Sequence, residues 1–321
     1  MNYRELGRSG LRVSEIGFGT WGLGGDHEGA VAYGATDDAV SLTALERALA
    51  LGINFYDTAD FYGHGHSEAL LGQAFGEARQ RVLYATKGGL LKDGQSQDFS
   101  PGHLRRALEG SLLRLNATQA DLYQLHSPAL DELRGNRDLL DTLEAFKREG
   151  LVRAVGISVR APADGLEALN VFAFDAVQVN FNLTDQRALD CSLFERAERA
   201  GCGIIARTPL CFGFLTGAFD ADSAFPPGDH RLRWSREQRQ RWADSLHRFT
   251  AALLQDLPQT PAQLALRYCL SFPAVSCAIP GMLTPAQVEE NAAASGLPPL
   301  SAEALARARA IYQGSDFFAS R

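Results

Sequence analysis

The sequence predicts a (β/α)8 barrel, class α/β, carrying an N-terminal β-hairpin and an extended loop and helix after the seventh barrel strand. Three observations lead there. Eight short apolar or β-branched runs recur along the 321 residues, and helix-period stretches separate them, an alternation that implies a parallel sheet. No Ser/Pro/Gly-rich linker or shift in composition divides the chain, which favours closing the strands into one barrel, residues 1–321 as a single domain, over two doubly wound domains. The length is suitable, since α/β barrels exceed ~250 residues as single units.

In chain order, Tyr3 to Ser14 reads as two short strands around Arg8-Ser9-Gly10, a hairpin able to plug the barrel bottom. The strand runs follow at Ile16–Thr20, Ile53–Asp57, Val82–Thr86, Asp121–Leu125, Val152–Ile157, Ala176–Val179, Gly203–Ala206 and Val275–Ile279. Helical periodicity occupies Ala39–Leu51, His103–Leu115, Leu133–Arg148, Ser192–Ala200 and Pro261–Leu270. The longest gap separates strands seven and eight. It holds Gly228-Asp-His-Arg-Leu-Arg-Trp234 and a helix to about Leu254, more than one crossover needs, so part of it should lie as a loop over the top face. Near the end, Thr284 suits an N-cap, Pro285 a first helical position and Gln287 the far side of a capping box, which sets a helix N-terminus at the barrel top.

Composition narrows the function. Apolar residues make up 45% and charged residues 21% of the chain, ordinary globular usage that disfavours disorder and coiled coil. The formal charge of −7 argues against a nucleic-acid or anionic-lipid footprint and leaves small molecules as partners. Charges at Arg4, Glu5 and Arg8 fall where a secretory leader needs apolar residues, and no run reaches the roughly 18 apolar residues of a spanning helix. A cytoplasmic protein is expected. The five cysteines lie in apolar company without a C-x-x-C pair and read as buried thiols.

In such a barrel, reactive groups sit at the C-terminal ends of the strands. The first polar residues after the apolar runs are Asp57, Lys87, His126, Ser158, Gln178 and Arg207. A carboxylate, an ammonium and an imidazole closing strands two, three and four must be paired if they point inward, which marks them as functional. Tyr62, five residues beyond Asp57, can reach the same place with its hydroxyl. Lys87 is expected to lower the tyrosine pKa, Asp57 to hold Lys87, and His126 to hydrogen-bond a substrate oxygen while Tyr62 delivers a proton to it. No side chain supplies hydride. The set therefore requires a nicotinamide, and Ser158 and Gln178 have the donors and acceptors a carboxamide needs.

Two other motifs compete. Gly17-Phe-Gly-Thr-Trp-Gly22 matches G-x-G-x-x-G, but no helical period opens at Gly22, so the dinucleotide-loop reading fails its context test. His64-Gly65-His66 has the H-x-H form of metal-dependent barrel hydrolases and is the best rival enzyme class. Strand eight, however, ends in Ile279-Pro280 without a carboxylate, Lys87 would compete with a cation, and no metal site is assigned.

The residues also carry a family resemblance. Gly19-Thr-Trp-Gly22, Asn54-Phe-Tyr-Asp-Thr-Ala-Asp-Phe-Tyr-Gly63, Ala85-Thr-Lys87, Asp121-Leu-Tyr-Gln-Leu-His126, Gly156-Ile-Ser158, Gln178-Val-Asn-Phe-Asn182, Ile279-Pro-Gly281 and Glu290-Asn291 fall in the order found in aldo-keto reductases. The chain resembles that family along nearly its whole length. The resemblance implies Asp57, Tyr62, Lys87 and His126 as the catalytic tetrad of an NAD(P)H-dependent carbonyl reductase. It implies cofactor contacts at Thr20, Trp21, Ser158, Gln178, Arg207, Pro209, Leu210, Gly213, Gly281, Gln287, Glu290 and Asn291. Some barrels of this kind are cofactor-bound regulatory subunits, a role that an intact tetrad argues against. Two departures stand out. Arg207 replaces the aromatic that usually stacks on the nicotinamide, and a planar guanidinium can also stack; Val159 replaces an asparagine that helps hold the carboxamide. The resemblance implies NADP(H) by family default, but members preferring NADP usually carry Arg or Lys shortly after the equivalent of Pro280, whereas Gly281, Met282 and Leu283 offer no cation; NADP(H) or NAD(H) is expected, with weaker NADP discrimination than the family norm unless Arg231 or Arg233 folds over to supply the charge. Trp21, Phe61, Phe212 and Trp234 suggest a partly aromatic substrate pocket.

Overall fold

The computed structural model describes residues 1–254 and 259–318. Hairpin strands β1 (Tyr3–Glu5) and β2 (Arg12–Ser14) pair antiparallel, with Arg4 opposite Val13. Eight strands follow in one parallel sheet: β3 (Phe18–Gly19), β4 (Phe55–Asp57), β5 (Leu83–Gly88), β6 (Ala120–His126), β7 (Val152–Ser158), β8 (Ala176–Asn180), β9 (Gly203–Arg207) and β10 (Val275–Ile279). Each pairs with its sequence neighbour, and bridges Ile16–Ala278 and Gly19–Gly281 join β3 to β10 to close the barrel. The helices are α1 (Asp38–Ala50), α2 (His66–Phe75), α3 (Pro101–Arg114), α4 (Leu130–Leu133), α5 (Arg137–Arg148), α6 (Pro162–Val171), α7 (Arg187–Asp190), α8 (Leu193–Ala200), α9 (Arg236–Leu253), α10 (Pro261–Leu270), α11 (Pro285–Ala293) and α12 (Ala302–Gln313). None is long and apolar enough to cross a membrane among the described residues.

Strand alternation explains both core and site. Residues two apart share a face. The inward positions Phe55, Ala85, Leu122, Ala154, Ala176, Ile205 and Cys277 form one buried apolar cluster with Leu6, Leu11 and Val13 of the hairpin. The hairpin thus plugs the bottom of the barrel. Gly7 makes this approach possible: at φ +54°, a Cβ there would lie 2.4 Å from the Gly203 backbone nitrogen. Two residues further up each strand the same inward face carries Asp57, Lys87, Gln124, Gly156, Gln178 and Arg207, so the lumen changes from apolar to polar on climbing one step.

Local chemistry sets the helix ends. Asp37, Ser100, Asn136, Ser235, Thr260 and Thr284 each accept a first-turn amide, and Pro101, Pro162, Pro261 and Pro285 take early helical positions. The helix expected over Leu133–Arg148 is two pieces. Gly135, at φ +74°, breaks it, and Asn136 restarts it. After β9 the chain makes 3-10 turns at Cys211–Thr216 and His230–Arg233 before α9, as the long gap required. Backbone bridges from Ala32 and Tyr33 to Asp229 fasten this insertion to the loop after β3 over the mouth of the barrel. Four cysteines, Cys202, Cys211, Cys269 and Cys277, are buried free thiols and Cys191 is half-buried.

Candidate active site

Strand register brings the expected side chains to one point. Asp57 closes β4 next to Ala85, Lys87 stands two residues above Ala85 beside Gln124, and His126 stands two above Gln124 beside Ser158. Lys87 Nζ donates to Asp57 Oδ1 at 2.5 Å, to the Thr58 carbonyl at 2.8 Å and to Tyr62 Oη at 3.1 Å. All three donors of the ammonium are used. The other oxygen of Asp57 accepts from Gln178 Nε2 at 2.6 Å and from Gln124 Nε2 at 3.2 Å. A buried carboxylate–ammonium pair is tolerable when its remaining hydrogen-bonding capacity is filled. Thr20 is part of the same scaffold, its hydroxyl donating to the Asp57 carbonyl at 2.9 Å and accepting from Ser67 Oγ at 2.6 Å.

The electrostatics follow from burial and charge. Burial holds the Tyr62 hydroxyl above its ordinary value, and Asp57 adds to this; the pull of Lys87 in the other direction is the smaller effect. This corrects the expected lowering: in the free site Tyr62 is a firmly protonated phenol. For Lys87, burial favours the neutral amine, but Asp57 and Tyr62 outweigh it and keep the ammonium charged. His126 is pushed well below the usual imidazole range by burial and by Lys87, Arg207 and Arg160, so its ring is neutral. It meets Tyr62 edge-on, with ring centroids 6.0 Å apart, and its Nδ1 is buried without a partner. Asp60, two residues before Tyr62, is pushed up to about 8 by burial beside Glu68.

A cavity of about 830 Å³ opens above this floor, large enough for an extended ligand. Asp57, Tyr62 and Gln178 line its base; Thr20, Trp21, Arg207, Pro209, Leu210 and Gly213 line one stretch and Gly281, Gln287, Glu290 and Asn291 another. Ser158 and His126 are buried outside that lining. Sequence reasoning missed several contributors: Gln124, Asn180, Tyr33 and His230. The inward alternation of β6 and β8 was the available signal for Gln124 and Asn180, which stand two residues from His126 and Gln178.

Gln178 differs from its expected part, since its amide nitrogen faces Asp57 and Gln124 and only its oxygen remains for a ligand. Arg207 makes no ion pair among the described residues. Nη2 donates to the Val159 carbonyl at 2.8 Å, while Nε is buried and unpartnered. A planar cation that lines a cavity with an unused donor fits an aromatic cofactor ring better than it fits a structural role.

At the far end, Thr284 caps the Gln287 amide, but Gln287 Oε1 accepts from Leu283 N at 2.7 Å instead of returning to Thr284. The expected capping box is therefore replaced by a ring one residue wider. Arg231 is held by Asp229, with Nη2–Oδ2 2.6 Å, and its guanidinium lies over the rings of Phe219, Phe225 and Tyr33 at 4.3, 4.4 and 4.7 Å. Asp229 and these rings hold it at the cavity wall, which it lines. Arg233 is exposed and lines the cavity.

The H-x-H motif splits: His66 pairs with Asp38 at 2.9 Å and stacks on His27, while His64 Nδ1 is buried without a partner. Among the described residues no three His, Cys, Asp or Glu side chains are placed to share a metal ion.

Comparison with known proteins agrees with this architecture. The profile of the Aldo/keto reductase family matches residues 15–313. The chain is 32% identical to L-galactose dehydrogenase of Arabidopsis thaliana over 311 residues, 91% of this chain and 87% of that protein. It is 30% identical to the NADP(+)-labelled aldo-keto reductase yakc of Schizosaccharomyces pombe over 304 residues, covering 90% and 85%. The holo form of aldo-keto reductase AKR11C1 from Bacillus halodurans superposes with a TM-score of 0.78 at 29% identity, covering 97% of this chain and 96% of the other. The barrel, its N-terminal hairpin and the match over most of the sequence place this chain in the aldo/keto reductase family of oxidoreductases.

Proposed function

We propose that the whole chain, residues 1–321, works as one barrel that reduces aldehydes and ketones to alcohols with NAD(P)H, reversibly, on small molecules in the cytoplasm. The observation that carries this reading is the Lys87 ammonium held between Asp57 Oδ1 at 2.5 Å and Tyr62 Oη at 3.1 Å at the base of the cavity. Bound nicotinamide supplies the hydride. Tyr62 donates its proton to the carbonyl oxygen, and Lys87, already hydrogen-bonded to that hydroxyl, stabilises the negative charge left on the phenol oxygen. Asp57 keeps Lys87 charged and in place. Neutral His126 donates a ring N–H to the same carbonyl oxygen and thereby orients it.

Arg207, with Ser158 and the Gln178 oxygen, would hold the nicotinamide half; Thr20, Trp21, Pro209, Leu210 and Gly213 would flank the middle; Gly281, Gln287, Glu290 and Asn291 would receive the adenosine end. The relative named for NADP(+) favours NADP(H). The lack of a cation at Gly281, Met282 and Leu283, and the restraint of Arg231 by Asp229, favour NAD(H). We read the chain as accepting both, with weak discrimination. The test is nicotinamide absorbance with a panel of aldehydes, repeated after chelation. Turnover that survives the chelator supports this reading and removes the metal-dependent one; no turnover with any aldehyde would contradict it and favour a regulatory subunit.

A further inference from the structure

His230 is a buried histidine, 4% exposed, in the insertion after β9, and nothing in the reaction above uses it. Its Nδ1 lies 3.0 Å from the Ala32 carbonyl, which also accepts the His230 backbone N–H at 2.9 Å. A carbonyl only accepts, so Nδ1 carries the hydrogen. Burial pushes the imidazole down to about 4, leaving it neutral. Nε2 is then a bare acceptor, and it is shut off from water without any donor. Such an atom is costly in a folded protein unless a ligand completes it.

The ring borders the main cavity. It packs 4.2 Å from Trp21, 4.9 Å from Tyr33, 4.9 Å from Trp234 and 5.4 Å from Phe212 by centroid. Trp21 in turn lies 6.4 Å from the Tyr62 ring. The wall therefore runs Tyr62, Trp21, His230, with one indole between the proton donor and the bare acceptor. The four rings around His230 are half-buried and, like His230, line the cavity. A pyrophosphate offers acceptors and cannot satisfy Nε2. What is missing is a hydrogen-bond donor, which a small carbonyl substrate can offer as a hydroxyl, and the aromatic surroundings suit the C–H faces of a polyol chain.

We propose that His230 is a specificity-determining residue whose Nε2 accepts a hydrogen bond from a substrate hydroxyl a few atoms from the carbonyl carbon, making hydroxylated aldehydes and ketones the preferred substrate class. This rests on the carbonyl-reductase reading. Two sources can supply such a hydroxyl, the substrate and a ribose of the cofactor, and the experiment separates them.

With the full-length enzyme and saturating reduced cofactor, kcat/KM is measured for glyceraldehyde against propanal and for erythrose against butanal, each pair matched in carbon chain. His230→Phe keeps a ring and deletes the acceptor; His230→Gln restores an acceptor. Cofactor dissociation constants, measured by fluorescence quenching, report folding and the ribose source. The expected result is a loss of roughly 10-fold on the hydroxylated aldehydes in His230→Phe, the size of one hydrogen bond. Propanal and butanal should change little, His230→Gln should recover most of the loss, and cofactor binding should stay at the wild-type value. Equal losses on both members of each pair would mean a packing role and overturn the proposal. Weakened cofactor binding would assign the hydroxyl to a ribose and overturn it as well. A wild type that reduces no aldehyde would overturn the carbonyl-reductase reading first, and this inference with it.

Discussion

The floor of the cavity and its end beside α11 are built in opposite ways. At the floor, Asp57 and Lys87 are buried and fully hydrogen-bonded by Gln124, Gln178, Thr58 and Tyr62. Their positions come from strand register, which fixes side chains to within a fraction of a residue. At the end beside α11, loops and the first turn of that helix supply amides and carboxamides, the nearby Arg231 is tied to Asp229, and Arg233 stands exposed at the cavity edge. In the proposed reading, chemistry is set by the sheet, where displacement is costly, and cofactor choice by segments that tolerate substitution.

The comparison breaks most severely at Lys87. Lys87→Met strands Asp57 in a dry site, and removal of one partner from a buried pair costs about 3–5 kcal/mol. We expect a clear loss in denaturant midpoint together with near-complete loss of carbonyl reduction. Wild-type stability would mean that Asp57 is not dependent on the ammonium.

Arg207 links the two regions. Arg207→Ala should raise the cofactor dissociation constant, by roughly tenfold for one stacking and hydrogen-bonding side chain, while leaving the melting temperature nearly unchanged. A cofactor-bound structure with the guanidinium turned away from the nicotinamide half would contradict this. A smaller effect is expected at the far end. The ratio of kcat/KM for NADPH over NADH with one aldehyde should fall short of about a thousandfold, because each missing charge-assisted contact to a 2′-phosphate is worth about 1.5–3 kcal/mol. A larger ratio would show Arg233 reading the phosphate, which Arg233→Ala would then abolish.

A separate effect concerns stability against pH. Asp60 is raised from the carboxylate range to about 8, so its contribution is complete below the unfolded value and is lost as pH rises toward 8. Asp60→Asn mimics the protonated acid. Its melting temperature should match the wild type near pH 4 and exceed it at pH 9; an equal difference at both would rule out ionisation as the cause.

Much of this was legible in the sequence where a short-range pattern carried it. Alternation along the strands placed Asp57 and Lys87 on the inward face of the lumen with His126 one step higher, and the long gap before β10 announced the insertion. Two features depended on depth and direction instead. The sign of the Tyr62 shift turns on how far burial outweighs a nearby ammonium, which no residue list specifies. Gln178 could turn its amide toward a ligand or toward Asp57, and the register of β4, β6 and β8 decides for Asp57. His230 was illegible for a simpler reason, because its partner Ala32 is 198 residues away.

The central claim is that Tyr62, held by Lys87, delivers the proton. Its most direct test is Tyr62→Phe, which removes one oxygen and leaves the ring. With cofactor binding intact by fluorescence titration, kcat for aldehyde reduction should fall by about 10²- to 10⁴-fold, the usual range for general acid catalysis. A Tyr62→Phe enzyme that binds cofactor normally and reduces aldehydes at the wild-type rate would contradict the account.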